Sequence, residues 1–186
     1  VTEFIELRKS AQSLRAAAAS AAFPEREKYA ALALAQADQL LKFDDQLGEK
    51  VGVLVEFTPL AILIRDFTKA EGYTDLLISL AVKNSMPHWE QYGYVYKARI
   101  EIAKGNVEDA ITQFGKFAVH LKNNPTHLAT SDKTVSLLND LILANHSDIV
   151  ENFVTNCLEE RKNLAKLKKL ENWLKTLREN IGATLD

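Results

Sequence analysis

The sequence is poorest in cysteine, proline and glycine, with one Cys, 4 Pro and 7 Gly in 186 residues. A single thiol, Cys157, makes no internal disulfide and no cysteine-rich metal site. A cytoplasmic or other reducing intracellular setting is therefore expected, and stability has to come from packing. Scarce proline and glycine, placed between periodic segments, leave room for helices joined by short turns. No run approaches eighteen apolar residues, so no membrane-spanning helix is expected. An excess of one charge sign is also missing: 23 Lys and Arg against 25 Asp and Glu leave a formal net charge of -2. That balance exerts no long-range pull on DNA or an anionic membrane, and it leaves RNA open. The chain begins at Val1 with no basic-then-apolar leader, which reads as a fragment or processed product.

What is present fits a folded chain with a core. Hydrophobic residues make up 47% and charged residues 26%, the proportions of a globular protein of one domain or one short repeat array. Residues 1–186 are read as a single all-α domain: an N-terminal helix pair over 1–50, a central part over 58–125, and a divergent hairpin with a capping helix over 126–186. The first helix runs from Thr2 to Ala22, with Leu7, Ala11, Leu14, Ala18 and Ala21 in one stripe. A second starts at Pro24, carries Tyr29, Leu32, Ala33, Ala37, Leu40 and Phe43 inward, and stops before Gly48. Val51 to Phe57 is β-branched enough for a strand yet has no evident partner, so it is left between loop and helix. Thr58-Pro59 reads as an N-cap followed by proline at the first helical position. Further helices are expected near 59–70, 75–84, 88–104, 107–122, 132–145, 148–162 and 163–181, about eight or nine in total.

Two glycine turns, "KAEGYTD" around Gly72 and "IAKGNVED" around Gly105, lie 33 residues apart and suggest an internal repeat. Leu60, Leu63, Ile64 and Phe67 keep the mutual spacing of Trp89, Tyr92, Gly93 and Tyr96. The segment "WEQYGYVY", followed by Ala110, Phe114 and Pro125, resembles the tetratricopeptide-repeat pattern of W-x₂-L-G-x₂-Y, A-x₃-F and a closing P. Trp89, Tyr92, Gly93 and Tyr96 stand for the first-helix positions, and Leu76 and Leu80 supply the second-helix pair of the preceding unit. The interval from Tyr96 to Ala110 is longer than the family's. The resemblance covers roughly 58–125 and implies antiparallel hairpins stacked as a short α-solenoid, with a concave groove that binds a peptide or helix of a partner protein. It implies no catalysis.

On a helical period, Trp89, Tyr92, Gly93, Tyr96, Ile100 and Ala103 form a seam, with Glu90, Tyr94, Lys97 and Glu101 as the adjacent stripe. The groove geometry implied by the resemblance makes Glu90, Tyr94, Lys97, Arg99 and Glu101 the candidate partner-binding residues, with Tyr94 as an aromatic contact. The clamp of Lys, Asn and Arg by which some family members hold acidic C-termini has no counterpart in these stripes. His88, His120, His127 and His146 form no HExxH or Cys/His set, and no GxSxG, phosphate loop or GxGxxG is present. No metal, cofactor or catalytic residue is therefore expected. A last stripe of Leu167, Leu170, Leu174, Leu177 and Ile181 reads as a capping helix, or as the interface of a structural subunit in a larger complex.

Overall fold

The structure, a computed structural model, describes residues 2–43, 47–126, 131–160 and 175. Among them are eight helices and no strand: α1 (Thr2–Ser20), α2 (Glu25–Leu40), α3 (Leu47–Leu63), α4 (Phe67–Lys83), α5 (Pro87–Lys104), α6 (Val107–Asn123), α7 (Asp132–Leu143) and α8 (Ser147–Glu160). The chain is all-α, as its periodicity implies. The helix expected over 163–181, with its leucine stripe, lies outside the described residues.

Sequence neighbours pack as hairpins from α1 to α6, and α7 packs on α8. In addition α3 packs on α5 and α5 on α7, whereas α4 and α6 make no comparable contact. The odd-numbered helices thus form one layer and the even-numbered helices the other. Closer spacing on the odd side bends this part of the array towards that side.

Val51 to Phe57 is helical, in the middle of α3. Its β-branched residues are accommodated because Val51, Val53, Leu54 and Phe57 are buried, and tertiary packing outweighs a few tenths of a kcal/mol of propensity. Thr58-Pro59 does not begin a helix, since Pro59 lies inside α3. A proline there removes one amide donor and pushes its ring against the carbonyl four residues back, that of Val55. The orphaned Val55 carbonyl is taken up by α5: the Tyr96 hydroxyl donates to it at 2.6 Å. Thr58 satisfies itself locally, its Oγ1 donating to the Leu54 carbonyl at 2.6 Å.

The turn expected at Gly72 is not there. Gly72 lies exposed within α4, and the break falls at Ile64–Asp66, where Arg65 has φ 61°. Ser85 (φ 54°), Gly105 (φ 88°) and Asn145 (φ 65°) occupy the same place after α4, α5 and α7. All four turns have the Schellman pattern, in which the amide after the left-handed residue bonds five residues back. The pairs are Asp66 to Ala61 and Met86 to Ala81 at 2.9 Å each, Asn106 to Glu101 at 2.8 Å, and His146 to Leu141 at 2.9 Å. The left-handed residues are separated by 20, 20 and 40 positions. The unit is therefore one helix per twenty residues, and the 33-residue glycine spacing marks no structural repeat. The signal was hidden because Arg and Ser stand where glycine was sought, held left-handed by the capping bonds.

Three inward assignments also change. Leu32, Leu63 and Leu76 are exposed, while Ala30, Leu34, Tyr73 and Leu77 carry the core of α2 and α4. The second helix ends at Leu40, well short of Gly48. Tyr96, Ile100, Ala110 and Phe114 are buried, and Trp89 and Tyr92 pack half-buried against the core. Gly93 marks a close approach: a Cβ there would collide with the Ile78 side chain.

Two substitution pairs test this layout in urea unfolding. Gly72→Ala is expected to stabilise by about 0.5–1 kcal/mol, while Gly105→Ala costs about 1–2 kcal/mol in its left-handed position. Tyr96→Phe is expected to cost about 1–3 kcal/mol by stranding a buried carbonyl. In a Pro59→Ala background, where Val55 regains a helical donor, that cost shrinks by about 1 kcal/mol or more. An unchanged cost in the double-mutant cycle contradicts the coupling.

Candidate functional site

Helix α5 is the centre of the array because neighbours contact it from both layers. It begins with Pro87 in its first turn and ends at the left-handed Gly105. Its aromatic-rich N-terminal half fills the space between α3, α4 and α6. The polar residues left over point to two different sides.

Glu90, Tyr94, Lys97 and Glu101 lie on the side between α4 and α6. Tyr94 is half-buried and its hydroxyl donates to Glu90 Oε1 at 2.8 Å. Glu90 Oε2 in turn meets His120 Nε2 of α6 at 3.1 Å, with the Tyr94 and His120 rings 5.8 Å apart. The other ring nitrogen, Nδ1, lies 3.1 Å from Gln91 Nε2. Gln91 is fully buried; its amide also donates to the Asn124 carbonyl at 2.8 Å, and its Oε1 accepts from Thr126 at 2.6 Å. A carbonyl must be given a donor, which fixes the amide's orientation. His120 Nδ1 is then the acceptor, and neutral His120 carries its proton on Nε2, towards Glu90. Gln91 and His120 therefore bracket the segment leaving α6.

Towards the C-terminal end of α5 the same side opens into a cavity of about 300 Å³. Its walls are Glu71 and Asp75 of α4, Lys97, Ile100 and Glu101 of α5, and Asp109 and Gln113 of α6. Lys97 reaches Asp75 at 3.0 Å. Lys104 bridges Glu71 and Glu101, and the Asn106 amide donates to Glu101 at 2.9 Å. The bond to Glu71, joined by the bond to Glu101 and the charges of both acids, raises the Lys104 ammonium above its usual range, although burial acts the other way. Among the described residues Asp109 has no ion-pair partner, and Gln113 Oε1 is sequestered without a donor.

Arg99 does not join this group. It lies on the other side of α5, bonded through Nε to Asp140 of α7 at 3.3 Å. Of the five candidate residues, four are brought to the α4–α6 cleft and one to the odd-helix face, because five residues of helix turn Arg99 about 140° from Tyr94. Tyr94, expected as an exposed contact, is instead tied into the Glu90–His120 network. Sequence reasoning missed Gln91, His120, Asp75 and Asp109, whose roles come from pairings across helices. Among the described residues no group of His, Cys, Asp and Glu is arranged to hold a metal, and no helix is long and apolar enough to cross a membrane. The chain matches no family model, no curated protein and no solved structure.

The tyrosines give this arrangement an alkaline signature. Burial, then the bond to Glu90 and its charge, push Tyr94 up to about 12. Burial and then Asp38 raise Tyr73, and burial with the neighbouring Tyr92 raises Tyr96. Folded phenols thus stay neutral where unfolded ones ionise, so the unfolded state binds fewer protons above about pH 10. Stability is expected to hold up to that pH and then fall, through about 12 for Tyr94 and beyond for Tyr73 and Tyr96. Urea midpoints measured from neutral to alkaline pH check this, and Tyr94→Phe and Tyr73→Phe should each flatten the decline.

Proposed function

We infer that the chain is a non-catalytic interaction scaffold, a helical-hairpin array of the tetratricopeptide-like kind with a unit of about forty residues in place of thirty-four. Its α4–α6 cleft takes a segment of a partner protein. The observation that carries this reading is the cleft itself, where α4 and α6 stand apart and leave a charged wall of α5 accessible. At about 300 Å³ the cavity is at the lower end of small-molecule pockets and fits one or two side chains of a docked polypeptide better than a cofactor. The lysines beside it are engaged with acids of α4 and α5 while Asp109 of α6 is left over, which suits a recognition surface. A reducing setting, favoured by the single cysteine, belongs to the same reading.

The test is affinity capture from native lysate, read by mass spectrometry, with the wild type and the charge-swapped variant Lys97→Glu/Asp109→Lys. The swap leaves the net charge of the chain unchanged while altering the cleft, so nonspecific effects of charge are held constant. Loss of a defined set of proteins is expected, with the helical circular dichroism signal preserved. An identical captured set from a folded variant overturns the cleft as the binding site.

A further inference from the structure

The cleft between α4 and α6 is unevenly charged, and the imbalance defines the side chain it fits. Glu71 and Asp75 of α4, Glu101 of α5 and Asp109 of α6 line it, and Lys97 is the cation among its walls. Lys97 reaches Asp75 Oδ1 at 3.0 Å, and Lys104 beside the cavity spans Glu71 Oε1 and Glu101 Oε1. The Asn106 amide donates to the other Glu101 oxygen at 2.9 Å. Four acids therefore face two lysines. Left over are both oxygens of Asp109 and the second oxygens of Glu71 and Asp75, which accept no bond among the described residues.

Asp109 stands in the first turn of α6 next to Glu108, where either acid suits the helix dipole. Only Asp109 of the two lines the cavity, exposed and without a cation among the described residues. One turn further on, Gln113 shares its side of α6 and lines the same cavity. Its Oε1 is shut off from solvent and accepts no hydrogen bond, so the fold has desolvated an acceptor without giving it a donor. The acids surround the space without converging on a point: among the described residues no group of them could hold a metal ion. Ile100 is the apolar part of the lining.

We propose that the α4–α6 cleft takes an arginine side chain of the partner segment, an inference that rests on the cleft being the partner site. A guanidinium carries its donors around the edge of a plane, so it serves acceptors on separate walls, Asp109 and Gln113 of α6 and Asp75 of α4. Its methylene stem finds the apolar surface of Ile100. An acidic side chain entering instead would meet uncompensated carboxylates, and an apolar one would take water from Asp109 without replacing it.

Nuclear magnetic resonance titration of the full chain at neutral pH and physiological ionic strength tests the site. The probes are the peptide Ac-Gly-Ser-Arg-Ser-Gly-NH₂, its citrulline counterpart, which keeps the shape and loses the charge, and its Leu counterpart. The Arg peptide is expected to shift the backbone amides of Asp75, Asp109 and Gln113 saturably, and the citrulline peptide to bind at least about tenfold more weakly. Asp109→Asn should weaken the Arg peptide about fivefold or more and Asp109→Glu retain it, both with the helical circular dichroism signal preserved. The peptide comparison needs no variant, so it holds whatever the substitutions do to folding. No saturable shift of these amides with the Arg peptide, equal binding of the citrulline peptide, or undiminished binding by Asp109→Asn overturns the proposal. If the Leu peptide shifts them and the Arg peptide does not, the arginine is wrong and the cleft still stands as a partner site. The cleft itself falls by the lysate capture, when the folded charge-swapped variant retains the whole captured set.

Discussion

The hydrogen bond from Tyr96 to the Val55 carbonyl is the constraint on which the middle of the array depends. Proline at position 59 strands that carbonyl inside a helix that buries Val51, Val53, Leu54, Phe57 and Leu60. An unpaired carbonyl sealed under the Tyr96 ring would oppose folding by about 1–3 kcal/mol. The phenol that satisfies it lies on α5, so the defect in α3 becomes a fixed point between two helices that are not adjacent in sequence. Proline also leaves the rest of α3 helical, because Thr58 and the flanking apolar residues hold both sides of it in place.

With α3 and α5 fastened in this way, the remaining contacts take up positions around α5. Gly93 admits Ile78 of α4 against the backbone. The buried Gln91 bonds to the segment that leaves α6, and Arg99 ties α5 to α7. One helix thus carries two polar faces, about 140° apart, with different company. The α4–α6 side gathers Glu71, Asp75, Glu101 and Asp109 around Lys97, whereas the odd-helix side pairs Arg99 with Asp140 of α7.

Much of the fold was legible because its cause is local. The apolar period of Thr2–Ser20 and Val107–Asn123, the proline at the start of α5 and the left-handed glycine at its end all act within a few residues. The same local rules failed at Thr58-Pro59 and at Gly72. A proline preceded by threonine has the signature of a helix start, and only a donor 41 residues away makes the helix interior tolerable. Glycine is the usual helix terminator, but Arg65 and Ser85 take the left-handed position because their capping bonds outweigh a cost of about 1–2 kcal/mol.

The candidate site divides in the same way. Sequence periodicity alone put Glu90, Tyr94, Lys97 and Glu101 on one stripe, since the angular step of a helix does not depend on its neighbours. It could not say that Arg99 faces α7, or that His120 and Gln91 hold the exit of α6. Those are facts about which helices adjoin. The sequence by itself determined the helices, their approximate ends and the all-α class, because backbone propensity and capping are short-range. Only the tertiary structure decided the register of the turns and the company each charge keeps, because those rest on hydrogen bonds and ion pairs between residues some thirty to forty positions apart.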